Sequence, residues 1–349
     1  MFRRKLILAL AVATVAAGVP ACSSSGSSSS AQNAADTSTP VAVKLAVSNI
    51  TNQSYIPLLL AQQLGFFKKQ GLNVSIANVN SGSQTFTMLA AKQVQGVVGF
   101  MDHDIDLTAK GSPTESVVQL LQAPGMVEMV RTDEADTITT PAGLAGKNVG
   151  VTGIGGSTEF LADYLAAHNG GGTIHAVGVT SGAPLLASMT NKQIDAAVTT
   201  EPSITSLLSK KLAKIIVDMR SVTGTQAALG GPYPGTALSV QNAWAKANPT
   251  TVQKLVNALV EALHWIQQHS AAQIVDQLPA TYYAGPGKAA YTQALANEIG
   301  MYSPTGLMPT DGPQSIYRVL SLFDPAVKGH TVDLSQVYTE TFVQNAPAS

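Results

Sequence analysis

The sequence has little charge, few aromatic residues and a single cysteine, and each shortage excludes a class of protein. Of its 349 residues, 12% are charged, 5% are aromatic and one is cysteine. One cysteine cannot supply a disulfide framework, a cysteine-ligated zinc site or a dithiol redox motif. The formal net charge of −1 excludes a strongly basic nucleic-acid-binding surface. The 45% of hydrophobic residues supports packed cores, over a length that suggests about two domains.

The first 40 residues predict export and anchoring. Basic residues at positions 3–5 precede an apolar run over 6–17, which is typical of a signal peptide and too short to span a bilayer. Cys22 follows this run as in a bacterial lipobox, so we expect cleavage after residues 1–21 and acylation of Cys22. The Ser-rich stretch 22–40 predicts a flexible tether. We expect a protein anchored through Cys22 to the outer face of the bacterial cell membrane, or in the periplasm; an ordinary secreted protein is the alternative, and Sec and twin-arginine export both remain open.

The rest of the chain predicts two α/β units of similar plan. Strand patterns alternate with helical patterns in each half. The predicted strands are 43–48, 74–79 and 96–100 in the first half, and 147–152, 174–179 and 196–199 in the second. An offset of about 100 residues superimposes Gly82 on Gly182 and Lys92 on Lys192, which favours a repeat, although any two βαβ units share such a pattern. Each lobe is therefore expected to be a mainly parallel sheet flanked by helices.

Two stretches rich in Pro and Gly predict where the chain crosses between the lobes. They lie at 122–132 and 230–237, next to strand patterns at 117–121, 126–131 and 236–240. Two such crossings form a two-segment hinge. The predicted first lobe comprises residues 41–125 and 237–349, and the predicted second lobe comprises residues 126–236.

Several motifs resemble one family of transport proteins. They are PLLLAQQLGFFKKQGLNV at 57–74, LAGKNVGV at 144–151, GGST at 155–158, QIDA at 193–196 and the pair Glu201-Pro202. The chain resembles the lipoprotein form of substrate-binding proteins of the nitrate/sulfonate/taurine and thiamine-precursor (NMT1/THI5-like) group of ABC importers. The resemblance implies a type II periplasmic-binding-protein fold, whose two lobes close on a small ligand and deliver it to a membrane permease.

Polar residues at the predicted strand ends and crossings are the candidate ligand contacts, because ligands of open α/β sheets bind beyond the carboxyl ends of the strands. These candidates are Asn49, Tyr55, Ser83, Gln84, Asp102, His103, Gln122, Ser157, Thr158, Thr200, Glu201 and Tyr233. Helix capping is the alternative role for Ser157 and Thr158. Capping and metal binding are the alternatives for the acidic cluster at 102–106, and we expect no metal and no cofactor.

The charged residues predict the chemistry of the ligand. After the signal peptide the only arginines are Arg131, Arg220 and Arg318, and none lies in a candidate loop, which disfavours a bare anion. Asp102 and Glu201 do lie in such loops, and a buried carboxylate needs a donor or a cation. We therefore expect an aminopyrimidine-like ligand, an amine or a zwitterion such as taurine.

Catalytic motifs are missing from the sequence. It contains no G-x-S-x-G, S-x-x-K or H-E-x-x-H pattern. Pyrimidine synthases related to the family carry a Cys-rich motif that one cysteine cannot supply. We therefore expect a monomeric binding protein, not an enzyme, with a small molecule and an ABC permease as partners. A lipid-anchored sensor that docks on a receptor is the alternative, and an enzyme on the same fold is a further one.

Overall fold

The computed structural model describes residues 39–347. The predicted signal peptide, Cys22 and nearly all of the predicted tether lie outside these residues. The described part contains ten strands and fourteen α-helices, together with short 3-10 turns. The strands are β1 (Val41–Ser48), β2 (Leu72–Val79), β3 (Gly96–Phe100), β4 (Thr114–Gln119), β5 (Met126–Arg131), β6 (Asn148–Val151), β7 (His175–Gly178), β8 (Ala196–Thr200), β9 (Ala213–Met219) and β10 (Thr236–Gln241).

The helices connect and cover these strands. They are α1 (Ile56–Gln63), α2 (Phe66–Lys69), α3 (Gly82–Ala90), α4 (Asp102–Ala109), α5 (Ser157–His168), α6 (Ala183–Thr190), α7 (Ser203–Ser209), α8 (Val222–Leu229), α9 (Asn242–Ala247), α10 (Pro249–Gln267), α11 (Ala271–Asp276), α12 (Lys288–Glu298), α13 (Gly312–Phe323) and α14 (Thr341–Gln344). Within residues 39–347, none of them is both long enough and apolar enough to cross a membrane.

The strands form two five-stranded sheets with the same plan. Their orders are β2-β1-β3-β10-β4 and β7-β6-β8-β5-β9, and we call the corresponding units the first and second lobes. In each sheet three neighbouring strands pair in parallel, and β10 or β5 pairs antiparallel with the strands on both of its sides. Four of five strands in each sheet thus run in one direction, which confirms the prediction of two α/β units with mainly parallel sheets.

The reversed strand of each sheet is the one that enters from the other lobe. β5 follows the first crossing, 120–125, and β10 follows the second, 230–235. The crossings are hydrogen bonded to each other, since the Gly235 amide donates to the Leu121 carbonyl at 3.0 Å and the Leu121 amide donates to Thr236 at 3.1 Å. Because Leu121 is used in this way, β4 ends at Gln119, earlier than the predicted 121.

The predicted repeat is present in the backbone conformation as well as in the amino-acid sequence. Lys92 and Lys192 follow α3 and α6, and both have a left-handed backbone, with φ of 59° and 56°. In both turns the next amide, of Gln93 or Gln193, donates over 2.9 Å to the carbonyl five residues earlier. The same turn therefore leads a helix into the third strand of each sheet.

Helices from the C-terminal part pack on both lobes. α10 begins with Pro249 and buries Leu255, Leu259 and Leu263 in the core of the first lobe. α13 instead contributes Ile316 and Val319 to a core that contains residues of β6 and α5 in the second lobe. The C-terminal residues that were assigned by sequence to the first lobe thus also contact the second.

Candidate ligand-binding cleft

A small cavity lies between the lobes, at the carboxyl ends of the central strands of both sheets. Its volume is about 30 Å³, and we call it the inner cavity. It is lined by Ser48, Asn49, Asn52, Tyr55, Asn80, Gly82, Phe100, Met126, Thr152, Ser157, Thr158, Ser181 and Thr200. Five of the candidate contacts are in this set, namely Asn49, Tyr55, Ser157, Thr158 and Thr200. Backbone packing brings them together from strand ends that are up to about 150 residues apart, in agreement with the position of ligands in open α/β sheets.

The two lobes touch around the inner cavity. Asn49 Nδ2 of the first lobe donates a hydrogen bond to Ser181 Oγ of the second. Ser83 Oγ at the start of α3 donates to the carbonyl of Ile154 at 3.1 Å. Gly153 approaches Ser81 so closely that a Cβ on Gly153 would lie 2.5 Å from Ser81 Cβ. The cleft is therefore closed in this structure.

Hydroxyl and amide groups dominate the wall of the cavity. Tyr55 OH and Ser48 Oγ lie 2.7 Å apart on the first lobe. On the second lobe Thr158 Oγ1 accepts from the Thr152 amide at 3.0 Å, which fixes the loop before α5. Gly156 is the N-cap of α5 and no side chain caps this helix, so Ser157 and Thr158 do not have the alternative capping role. Their amides lie at the positive end of the α5 dipole, beside the cavity.

Asp102 was expected to contact ligand, and the structure gives its carboxylate partners within the protein. Its Oδ1 accepts from Ser157 Oγ and its Oδ2 accepts from Tyr233 OH, both at 2.8 Å. Burial raises the pKa of Asp102 to about 6, although both hydrogen bonds act in the opposite direction. Asp102 and Tyr233 do not line the inner cavity. They join α4 of the first lobe to α5 and to the second crossing.

His103 lies behind the cavity wall. Its ring packs between Phe86 and Phe160, with centroid distances of 4.5 and 5.6 Å. A Cβ on Gly82, which lines the cavity, would be 3.1 Å from His103 Nε2. Burial lowers the pKa of His103 to about 4, so the ring is neutral at ordinary pH. No group of three or more His, Cys, Asp or Glu residues suited to a metal ion occurs between residues 39 and 347.

The carboxylate of Glu201 has its partners within the second lobe. Its carboxylate accepts from the Thr205 amide at 2.9 Å and from Thr205 Oγ1 at 3.0 Å, so it caps α7. Arg220 Nη1 is 3.6 Å from Glu201 Oε1. The argument that Asp102 and Glu201 require a cationic ligand therefore loses its basis, because protein donors already satisfy both carboxylates.

The remaining candidates stay outside the cavity. Gln84 is exposed, and its Oε1 accepts from the Asn80 amide at 3.2 Å. Gln122 Nε2 donates to the Tyr302 carbonyl at 3.3 Å and holds the first crossing to the segment after α12. Ser83, described above, bonds across the cleft beside the cavity.

Five polar residues of the wall are not among the twelve candidate side chains. They are Ser48, Asn52, Asn80, Thr152 and Ser181. Asn52, Thr152 and Ser181 lie in loops that sequence reasoning placed at the cleft, whereas Ser48 and Asn80, at the ends of β1 and β2, were missed. Within the described chain the cavity wall contains no charged side chain. Arg131 is turned away and pairs with Asp133, Glu134 and Asp195.

The family follows from a match over most of the chain. The family model described as NMT1/THI5 like matches residues 52–272. The chain belongs to the NMT1/THI5-like family. This confirms the resemblance inferred from the motifs.

Relatives of this NMT1/THI5-like chain include binding proteins and enzymes. A solved structure from Bordetella bronchiseptica RB50 is 32% identical, with a TM-score of 0.81, and the match covers 87% of this chain and 96% of that one. The alkanesulfonate-binding protein SsuA from Xanthomonas axonopodis pv. citri, bound to MOPS, is 17% identical with a TM-score of 0.69, over 86% of this chain and 99% of that one. The second likeness shows the fold, which is that of periplasmic binding proteins, including substrate-binding proteins of ABC importers.

A yeast enzyme is also similar. The 4-amino-5-hydroxymethyl-2-methylpyrimidine phosphate synthase THI11 of Saccharomyces cerevisiae is 27% identical over 219 residues. The match covers 61% of this chain and 63% of the enzyme. The proteins that this chain resembles thus include a binding protein with the same fold and a synthase with a similar sequence.

Proposed function

We propose that this protein is the substrate-binding component of an ABC importer and holds a small polar organic ligand between its lobes, with an uncharged polar part of the ligand at the inner cavity. The observation that carries the proposal is the inner cavity, whose polar wall is built from strand ends of both lobes beside two adjacent crossings. Two rigid lobes joined by two short segments can open and close around such a site.

The cavity wall favours a ligand with both donors and acceptors. Asn49, Asn52 and Asn80 each carry an amide that can do both, and the hydroxyls of Tyr55 and Thr200 can do the same. An aminopyrimidine has this mixed pattern, and the yeast relative is named for a pyrimidine product. An amine or a zwitterion such as taurine ranks below it, since no carboxylate of the described residues lines the cavity. A bare anion ranks last, because the wall has no arginine or lysine.

We propose that the protein binds its ligand and does not catalyse a reaction on it. A nucleophile needs an adjacent base within hydrogen-bond reach. His103, the nearest imidazole, lies behind Gly82 and is enclosed by two phenylalanines. The only cysteine is Cys22, which lies far from the cleft in sequence.

The N-terminal residues support an extracytoplasmic location and a lipid anchor. We propose that Cys22 is the acylated first residue of the mature protein and that the Ser-rich tether lets a monomeric body reach an ABC permease. Mass spectrometry of the membrane fraction tests this. The expected N-terminal peptide begins at a diacylated Cys22, and an unmodified chain that begins elsewhere would contradict the lipoprotein proposal.

A disulfide across the cleft tests the binding mechanism. A Cβ on Gly155 would lie 4.0 Å from Ser83 Cβ, within the range of disulfides, and these residues belong to different lobes. In a Cys22→Ser background, the double variant Ser83→Cys/Gly155→Cys should lock the cleft when it is oxidised.

The assay is a thermal-shift screen with pyrimidines, amines, taurine, sulfonates, nitrate and bicarbonate. At 100 times Kd, a ligand that binds only the folded state stabilises it by about 2.7 kcal/mol. A compound that raises Tm of the reduced variant should no longer bind within minutes to the oxidised one, and reduction should restore binding. The single variant Ser83→Cys is the control for the substitution. Equally fast binding to the oxidised and reduced forms would contradict capture between the lobes.

A further inference from the structure

A second and larger cavity lies on the outer side of the inner one, again between the lobes. Its volume is about 400 Å³, and we call it the outer cavity. Its lining comes from the start of the first lobe, from the segment around 281–290 and from α6 and α7 of the second lobe. Ligand sites commonly measure about 300–1,000 Å³, so the outer cavity has the size of such a site, whereas the inner cavity is smaller in this closed structure.

The Asn49–Ser181 contact lies beside residues that line each of the two cavities. Asn49 and Ser181, which bond to each other across the cleft, both line the inner cavity. Their neighbours line the outer one: Thr51 Oγ1 donates to Asn49 Oδ1 at 3.0 Å, and Gly182 follows Ser181 directly. The two cavities are therefore adjacent. One ligand could occupy both if the Asn49–Ser181 contact opened.

The outer cavity differs from the inner one in its charge. Lys210, at the end of α7, is its one charged lining residue among the residues described. No carboxylate between residues 39 and 347 forms an ion pair with Lys210. Glu201 lies behind the wall, where Thr205 and Arg220 hold its carboxylate.

Hydroxyl side chains line the outer cavity together with Lys210. Ser203, Ser206 and Ser209 of α7 line the outer cavity on the second lobe, and Thr281 and Tyr282 face them from the first lobe. Leu186 and Pro286 add apolar surface. Ser206 and Ser209 already donate to the carbonyls of Pro202 and Ser206. The flexible ammonium group, with the hydroxyls of Ser203, Thr281 and Tyr282, suits a compact anion such as a carboxylate, sulfonate or phosphate.

We propose that the outer cavity is a second compartment of the ligand site, which accepts an anionic group with Lys210 as its counter-charge. This inference rests on the proposed function and extends it: the ligand is an elongated molecule with an uncharged polar head in the inner cavity and a negatively charged end in the outer one. The Asn49–Ser181 contact then closes around the middle of the ligand.

Cysteine labelling of the full chain tests the outer cavity without knowledge of the ligand. The starting variant carries Cys22→Ser and Ser206→Cys, so that the single thiol lies in the outer cavity. The rate constants of its reaction with anionic 2-sulfonatoethyl methanethiosulfonate and cationic 2-(trimethylammonio)ethyl methanethiosulfonate are compared as a ratio. Lys210→Met should lower the anion-to-cation ratio by about 5-fold or more. Lys211→Met, an exposed neighbour outside the lining, is the matched control and should change the ratio by less than about 2-fold.

Reversible binding supplies the second measurement. Millimolar propane-1-sulfonate should protect Ser206→Cys from uncharged methyl methanethiosulfonate, 1-propanol should not, and Lys210→Met should remove the protection. An unchanged ratio in Lys210→Met, or equal protection by the two propyl compounds, overturns the anionic compartment. Either result leaves the thermal-shift and disulfide experiments untouched, so failure of this inference is distinguishable from failure of the proposed function.

Discussion

Tyr233 donates its hydroxyl hydrogen to Asp102 Oδ2 at 2.8 Å, and this contact ties the second crossing to the first helix turn of α4. Ser157 of the second lobe bonds the other oxygen of the same carboxylate. One buried Asp102 side chain thus connects both lobes and a crossing. We call these three residues the Asp102 latch; Ser157 also lines the inner cavity, and the other two do not.

The Asp102 latch predicts a pH-dependent cost for Tyr233→Phe. Loss of the hydroxyl leaves a buried carboxylate with one donor fewer, which should cost about 1–3 kcal/mol of unfolding free energy. Since the pKa of Asp102 is about 6, the carboxylate is charged at about pH 8 and largely protonated at about pH 5, so the cost should be larger at the higher pH.

Urea unfolding of the variant at both pH values checks this prediction. Tyr164→Phe is the matched control, because Tyr164 OH is buried and donates to the Leu229 carbonyl at 3.3 Å, not to a carboxylate. Its cost should be the same at both pH values. A Tyr233→Phe cost that does not vary with pH would contradict the role of the charged Asp102.

From the buried carboxyl group of Glu128 we predict how the free energy of unfolding depends on pH. It is completely buried in the middle of β5, and neither of its carboxyl oxygens has a hydrogen-bond partner. Burial raises its pKa to about 8, above the usual value of 4.5. The folded state therefore binds the proton more tightly than the unfolded state, and stability should fall as the pH rises from about 4.5 through about 8.

Glu128→Gln should remove much of this dependence. We expect it to be nearly neutral at about pH 5 and stabilising above about pH 8, by up to roughly 4 kcal/mol. Unfolding free energies of the variant and of the control Glu340→Gln, measured across this range, test the expectation. If Glu128→Gln and the parent lose stability in parallel as the pH rises, Glu128 is not the group responsible.

Gly235 sets how closely the crossings approach. A Cβ there would lie 2.6 Å from the Ala123 carbonyl oxygen and 3.0 Å from Leu121 Cβ. Gly235→Ala must push the two backbones apart and should cost about 1–3 kcal/mol. Gly300→Ala, where a Cβ would meet nothing within 4 Å, should stay within about 0.5 kcal/mol of the parent. Thermal unfolding of both variants measures the difference, and equal Tm values would show that the crossings can separate freely.

The buried carboxylate of Asp104 links α4 to two strands of the first sheet. Its carboxylate accepts from Thr114, Ser116 and Ser239 over 2.6–2.7 Å, which joins β4 and β10 to the helix. Asp104→Ala leaves three buried hydroxyls without this acceptor and should cost about 3 kcal/mol or more. Asp136→Ala, at a side chain that is 98% exposed, should change stability by less than about 0.5 kcal/mol. Similar losses in the two variants would contradict the structural role of Asp104.

Local patterns in the sequence predicted most of the fold. The short apolar run GVVGF placed β3 at 96–100, as observed, and most other strands were placed within a few residues, whereas β9 was not predicted. The turn at Lys92 and its copy at Lys192 could be matched because a repeated turn needs similar residues. The predicted boundary of β4 was wrong. The carbonyl of Thr236, at the start of β10, accepts from the amides of both Leu120 and Leu121, and the regular pairing of β4 with β10 ends at Gln119.

The candidate site was predictable as a set of loops but not as a set of side chains. Asn49, Tyr55 and Thr158 face the cavity, whereas Gln84, at an equally suitable loop position, is exposed. The arginine shortage agrees with the lack of arginine and lysine in the described wall of the inner cavity, whereas the expected carboxylates of Asp102 and Glu201 lie outside that wall. The role of Lys210 could not be read from the sequence, since it lies at the end of a helix on an outer wall.

The sequence by itself determined two α/β lobes, their strand order in the chain and the loops at the strand ends, because periodicity and turn residues act over short distances. Only the tertiary structure decided which polar groups are free to meet a ligand. Asp102 finds Ser157 and Tyr233, 55 and 131 residues away, and Glu201 finds Arg220. Buried charges must be paired, and the partners come within hydrogen-bond distance only in the folded chain: across the two lobes for Asp102, and within the second lobe for Glu201.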